Sequence, residues 1–204
     1  MGTPAYRTGR GLTFSQESAS MALLVIDMLG NPYASPVSEL AVPATENGAR
    51  ICTAARENGV PVIFCDDAHI SGLDRELELW GDHALIGTPE AQPSPQLGLC
   101  DDDFIIEKRR YSAFFQTGLR LLLHELGVDT VIAIGADTNI CVRHTVADAF
   151  FNNLNSIIVT DATWTYLVGN QEDGLAYCQT CYGSKLVDTD AAVSMLNGLC
   201  RQRD

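Results

Sequence analysis

Short runs rich in Val, Ile and Leu recur along this chain with no polar alternation inside them, and segments of helical periodicity separate them. Ala22–Ile26, Val60–Phe64, Phe104–Ile106, Thr130–Ile134, Ser156–Thr160 and Lys185–Val187 read as strands. A strand that is apolar on both of its faces must be covered on both, which is the situation of a parallel sheet between helical layers. Helices are expected over 45–58 with Gly59 closing the first, from Thr117 to Leu126 with Gly127 stopping it, and near 139–152, 170–180 and 190–200. Strand–helix alternation with right-handed crossovers then gives an α/β fold, although the spatial order of the strands is not contained in this pattern.

The 204 residues suit a single domain, and their 46% hydrophobic content is enough for a full core. Residues 1–20 are read as an N-terminal extension and 21–204 as the domain. The first twenty residues lack the apolar stretch of a signal peptide, and Tyr6 breaks the myristoylation pattern. No apolar run approaches the ~18 residues of a membrane span. The expectation is therefore a cytoplasmic protein that binds no membrane. A net charge of −13 argues against nucleic acid, whose phosphates call for Lys and Arg. The seven cysteines are scattered without a disulfide framework, and most are expected to be reduced, buried thiols. Cys178 and Cys181 have redox or zinc-pair spacing but stand alone, and are read as structural.

Ligands of open parallel sheets bind outside the carboxyl ends of the strands. Asp27 follows the first strand; Cys65, Asp66, Asp67 and His69 follow the second; Glu107 and Lys108 follow the third; Gly135 leads from the fourth toward Cys141. A carboxylate, an ammonium and a thiol thus converge on one edge. Cys141 falls at the start of an expected helix, where free N–H groups and the helix dipole favour the thiolate. The plainer alternative is a thiol filling space at a turn, as Asp27 is equally a turn former and Lys108 equally a solvated cation. The polar stretch from Cys65 to Asp103 is long enough to be functional. Nucleotide-binding glycine patterns and G-x-S-x-G are absent, which sets aside a dinucleotide-binding domain and a serine hydrolase.

Asp27 directly after Ala22-Leu-Leu-Val-Ile26, Glu107-Lys108-Arg-Arg-Tyr-Ser-Ala-Phe114, and Gly135-Ala-Asp-Thr-Asn-Ile-Cys141-Val-Arg-His-Thr-Val-Ala-Asp-Ala-Phe150 resemble the isochorismatase-like cysteine hydrolases. That family includes nicotinamidases, N-carbamoylsarcosine amidases, ureidoacrylate amidohydrolases and biuret hydrolases. The resemblance implies a three-layer α/β/α fold with a six-stranded, mostly parallel sheet, and a homo-oligomer, dimer or tetramer. It implies a triad in which Cys141 attacks an amide or ureido carbonyl, Asp27 moves the proton and Lys108 stabilises the charged pair. It further implies an oxyanion hole made by the backbone N–H groups of Cys141 and Asp137, with a cis bond between Ala136 and Asp137. Asp137 departs from the small or apolar residue common there, and its charge would disfavour a nearby thiolate unless paired.

Within this family resemblance, Asp67, His69 and His83 match a metal-ligand set of nicotinamidases. With Trp80 they are otherwise a pocket wall, and no metal is required by the triad. Three N/O ligands suit zinc, iron or manganese without choosing among them. Arg109, Arg110 and Arg143 are candidates for a substrate carboxylate, against the simpler reading of surface arginines. Tyr111 and Phe114 are candidate pocket aromatics, against the default that aromatic residues are core, and His124 and His144 are read as structural. The alternatives are a metal-assisted nicotinamidase and a catalytically silent oligomeric member of the family.

Overall fold

In the computed structural model, which describes residues 21–200, the six expected strands form one parallel sheet. They are β1 (Met21–Ile26), β2 (Val62–Asp67), β3 (Phe104–Lys108), β4 (Thr130–Ala136), β5 (Asn155–Trp164) and β6 (Lys185–Val187). Their spatial order is β3-β2-β1-β4-β5-β6. The chain therefore builds outward from β1 in one direction, then returns to its other side. That reversal places a crevice at the carboxyl ends of β1 and β4, where open α/β sheets hold ligands. The expected extension over residues 1–20 lies outside the described residues.

The apolar strands are covered on both faces. Ala22, Leu24 and Ile26 of β1 face one core with Leu119, Leu122 and Leu123 of α3 (Leu119–Glu125), Val146 and Ala149 of α4 (Arg143–Phe151), and Leu175 and Cys178 of α5 (Gln171–Tyr182). Leu23 and Val25 face the other, with Ile51, Cys52 and Ala55 of α1 (Ser38–Glu57) and Ala192 and Leu196 of α6 (Thr189–Cys200). Full burial of such a side chain contributes about 1.5–3 kcal/mol, and residues 22–26 are all completely buried. No helix among the described residues is long and apolar enough to cross a membrane.

Several boundaries differ from the sequence reading. The first helix starts at Ser38, not near 45, and contains Pro43 within it. Pro61 precedes β2 instead of lying in it, and its carbonyl accepts the Leu23 N–H at 2.8 Å. Strand β2 continues through Asp66 and Asp67 because β3 pairs with both. Strand β5 runs beyond Asp161 to Trp164 across a register shift against β4. The polar stretch is largely irregular but contains the short helix α2 (Glu76–Trp80).

Candidate active site

Strand ends bring the three singled-out side chains to one point. Asp27 leaves β1 with φ near +49°, in the left-handed region, which a short polar side chain tolerates best. Its Oδ1 accepts the Asp67 N–H at 2.8 Å, and its Oδ2 lies 2.7 Å from Lys108 Nζ. Lys108, the last residue of β3, also donates to Asp67 Oδ1 at 2.5 Å and to Cys141 Sγ at 3.6 Å. Its side chain is fully buried. Burial alone works against the ammonium, but Asp27 and Asp67 outweigh it and hold its pKa well above the usual lysine value.

Cys141 sits in a π-helical turn, Thr138–Val142, that precedes α4; the regular helix begins two residues later. Burial, with Asp27 and Asp67 adding to it, pushes the thiol well above its ordinary pKa despite the opposing Lys108 charge. Desolvation thus opposes the thiolate that the helix-start position was expected to favour, and the Lys108 ammonium is the group that favours it. Burial, reinforced by Asp67, raises Asp27 to about 6, so near neutral pH it is an ionised acceptor beside that thiol.

The turn reaches this position because β4 closes on β1. A Cβ on Gly135 would stand 1.9 Å from the Ile26 carbonyl oxygen, so only glycine allows the approach. The Ala136–Asp137 bond is cis. The Asp137 carboxylate accepts from the Asn139 N–H and the Thr165 hydroxyl through Oδ1, and from the Tyr166 and Leu167 N–H groups through Oδ2. Both of its oxygens are therefore occupied by hydrogen-bond donors.

A second cluster adjoins the first. Asp67, His69, Glu76 and His83 bring one ligand atom each to within 4.8 Å of one another. His69 Nδ1 faces Asp74 Oδ2 at 3.3 Å and His83 Nδ1 faces the Gly81 carbonyl at 2.8 Å, which leaves both Nε2 atoms for the cluster. His69 Nε2 and Glu76 Oε1 are buried with no hydrogen-bond partner among the described residues. Burial, with Asp67 adding to it, pushes Glu76 up to about 7. Orphaned buried lone pairs of a histidine and a carboxylate are the donor set of a divalent cation, so these residues fit one.

Both clusters border a cavity of about 540 Å³, whose wall includes Trp80, Tyr111, Trp164 and Tyr166. Trp80 Nε1 donates to the Tyr111 hydroxyl at 3.1 Å. Phe114 belongs to the core, the default place of an aromatic side chain. The three arginines are also elsewhere: Arg109 pairs with Asp74, Arg110 lies 3.7 Å from it, and Arg143 stacks over Tyr177 at 3.5 Å. His144 Nδ1 faces the Ile140 carbonyl, and Cys178 is buried in the core while Cys181 is exposed. Asp66, one residue from the site, is buried with neither oxygen bonded among the described residues, and burial raises its pKa well above the usual range.

Glu76 and Asp74 were not recognised from the sequence. Their spacing from Asp67 and His69 follows no helical or strand period, and only the fold of the irregular segment brings them back. Asp67 was placed at the pocket wall, whereas it also grips Lys108.

A family model described as an Isochorismatase domain matches residues 21–191. Nicotinamidase 3 of Arabidopsis thaliana is 34% identical over 172 residues, covering 78% of this chain and 84% of the relative. The N-carbamoylsarcosine amidase of an Arthrobacter species is 31% identical over 186 residues, covering 86% and 68%. Among solved structures, the N-carbamoylsarcosine amidase of Thermoplasma acidophilum superimposes with a TM-score of 0.77 at 32% identity, covering 84% of this chain and 97% of its own. The matched region includes β1, β3 and the turn carrying Cys141, and the chain belongs to the isochorismatase-like hydrolase family.

Proposed function

We propose that this protein is a cysteine amidohydrolase that cleaves a C–N bond of a small amide or ureido compound through a thioester. One observation carries the reading: a single buried ammonium, Lys108, touches both Asp27 and Cys141 at the edge of a cavity. Cys141 Sγ attacks the carbonyl carbon while its proton passes to Asp27. The tetrahedral oxyanion takes hydrogen bonds from the N–H groups of Cys141 and Asp137, the latter having no acceptor among the described residues. As the C–N bond breaks, Asp27 returns the proton to the leaving nitrogen, releasing ammonia or amine. Water then attacks the thioester, Asp27 takes its proton, and the carboxylic or carbamic acid leaves as the thiol re-forms. Lys108 offsets the charge on whichever of Asp27 and Cys141 is anionic.

A metal-assisted variant of this chemistry, acting on a neutral carboxamide such as nicotinamide, is favoured by the second cluster. Asp67, His69, Glu76 and His83 would hold the ion. When bound, such a cation supplies a Lewis-acidic anchor for a neutral donor atom of the substrate. The described cavity wall carries no Lys or Arg, so a substrate carboxylate finds no forked partner there.

The test is ammonia release from nicotinamide, N-carbamoylsarcosine, ureidoacrylate and biuret, with wild type and Cys141→Ala, with and without chelator. Turnover abolished by the alanine supports the thiol mechanism, and chelator sensitivity supports the metal. Undiminished turnover in Cys141→Ala overturns the proposal.

A further inference from the structure

Asp137 carries more than the backbone N–H assigned to it above. The residue is 5% exposed, and its side chain accepts four hydrogen bonds: Asn139 N–H at 2.8 Å, Thr165 Oγ1 at 2.6 Å, Tyr166 N–H at 2.9 Å and Leu167 N–H at 3.1 Å. Three of these come from the irregular segment between β5 and α5. Asn139 grips the same segment, its amide donating to Thr165 Oγ1 at 3.2 Å and to the Val168 and Asn170 carbonyls at 2.6 and 3.1 Å. Gly174 of α5 leaves room for that grip, since a Cβ there would stand 1.9 Å from Asn139 Oδ1.

The gripped segment forms part of the cavity wall through Tyr166 and Leu167, yet both are substantially exposed on their other side. It lies in no helix or strand, so these side-chain bonds are its main attachment to the turn that bears Cys141. A carboxylate is suited to the task because two acceptor oxygens can serve four donors, which neither an amide nor a hydroxyl can do. The donors also neutralise a charge that would otherwise work against an anionic sulfur.

We propose that Asp137 is a positioning residue: its carboxylate clasps residues 165–167 against the Cys141 turn, so that pocket wall and reacting turn move as one unit. This rests on the hydrolase reading for its kinetic consequences, and on geometry alone for the clasp.

Three readouts test it on Asp137→Ala, Asp137→Asn, Thr165→Val and the double variant Asp137→Ala/Thr165→Val: amide hydrogen exchange at Tyr166 and Leu167, iodoacetamide alkylation of Cys141, and KM with kcat on the best substrate of the panel. Asp137→Ala should speed exchange of both amides and change alkylation at least ~10-fold. It should also raise KM and lower kcat, by up to the ~100-fold that a small misplacement of reacting groups costs. Asp137→Asn, which keeps one carbonyl oxygen, should fall between wild type and alanine. The double variant should fall short of the sum of the two single effects, because the Thr165–Asp137 bond is lost in each, while the Thr165 contacts to Asn139 and Val168 are lost only with Thr165→Val. Exchange, alkylation and kinetics within twofold of wild type, or additive effects in the double variant, would overturn the clasp. If Asp137→Ala does not fold, Asp137→Asn and Thr165→Val carry the same comparison. Because exchange and alkylation need no turnover, a failure of the hydrolase reading would leave the clasp separately decided.

Discussion

Asp67 is held by Lys108 at 2.5 Å through one carboxylate oxygen, while its other oxygen lies 3.6 Å from His69 Nε2. The thiol cluster and the Asp/His/Glu cluster therefore share a residue, and the charge state of one is felt by the other. Burial raises the Asp67 pKa, but Lys108 overrides this and holds it below the usual carboxylate value.

Lys108 is the only lysine or arginine contacting Asp27 and Asp67 among the described residues. Lys108→Met leaves two buried carboxylates uncompensated, which is expected to lower stability by about 3–5 kcal/mol and to lower kcat/KM at least ~100-fold. Denaturant melts and steady-state kinetics check both. Lys108→Arg is not expected to restore activity, because a planar fork cannot replace a point charge in this space.

Asp27 accepts the thiol proton only when ionised, and its pKa is raised to about 6 by burial and Asp67. In chelator-treated protein the alkylation rate of Cys141 is therefore expected to rise with pH through about 6, and Asp27→Asn should flatten that step. The sign for stability is opposite: a carboxyl with a raised folded pKa stabilises the folded state most below its unfolded value near 3.8, and this contribution is lost as pH rises through about 6. A pH series of alkylation rates followed by mass spectrometry reads the first effect directly.

Zinc or manganese added to chelator-treated protein should raise its melting temperature, as any ligand of the folded state does. His69→Ala and Glu76→Ala should abolish the rise. Asp74→Asn, which leaves all four candidate ligands in place but removes a charged partner of His69, should weaken metal affinity ~10–100-fold. Isothermal titration with the metal alone measures this independently of turnover.

Gly135→Ala should be strongly destabilising, beyond the 0.5–3 kcal/mol of most substitutions, because the new methyl meets the backbone of Ile26, which cannot rotate away. Thermal unfolding of the purified variant, or its failure to accumulate as folded protein, would show it; a melting temperature unchanged from wild type would contradict the geometry.

Cys100 and Cys181 are exposed and should alkylate readily, whereas burial pushes Cys52 up to about 12 and Cys178 up to about 11, and both should stay silent until the protein unfolds. Peptide mapping after brief labelling separates these sites from Cys141.

The strands were legible because a run such as Ala22–Ile26 has no polar face, and a chain has few ways to hide both sides of a strand. Asp27 and Lys108 were legible for a related reason: each directly follows or closes such a run, Cys141 follows the next one through a short turn, and strand ends in a parallel sheet share one edge. Glu76 and Asp74 were not, since an irregular segment carries no period from which direction or distance can be read. The desolvation of Cys141 was hidden for a similar reason. Position at a helix start is a local property, but desolvation depends on everything that packs around the sulfur. Local pattern thus determined the elements, their layering and the edge where chemistry gathers. Only the tertiary structure decided the strand order, the sharing of Asp67 between two clusters, the removal of Arg109 and Arg143 from the pocket, and the pairing of Asp137. Each of these is an interaction between residues far apart in the chain, set by how the layers close and not by any local propensity.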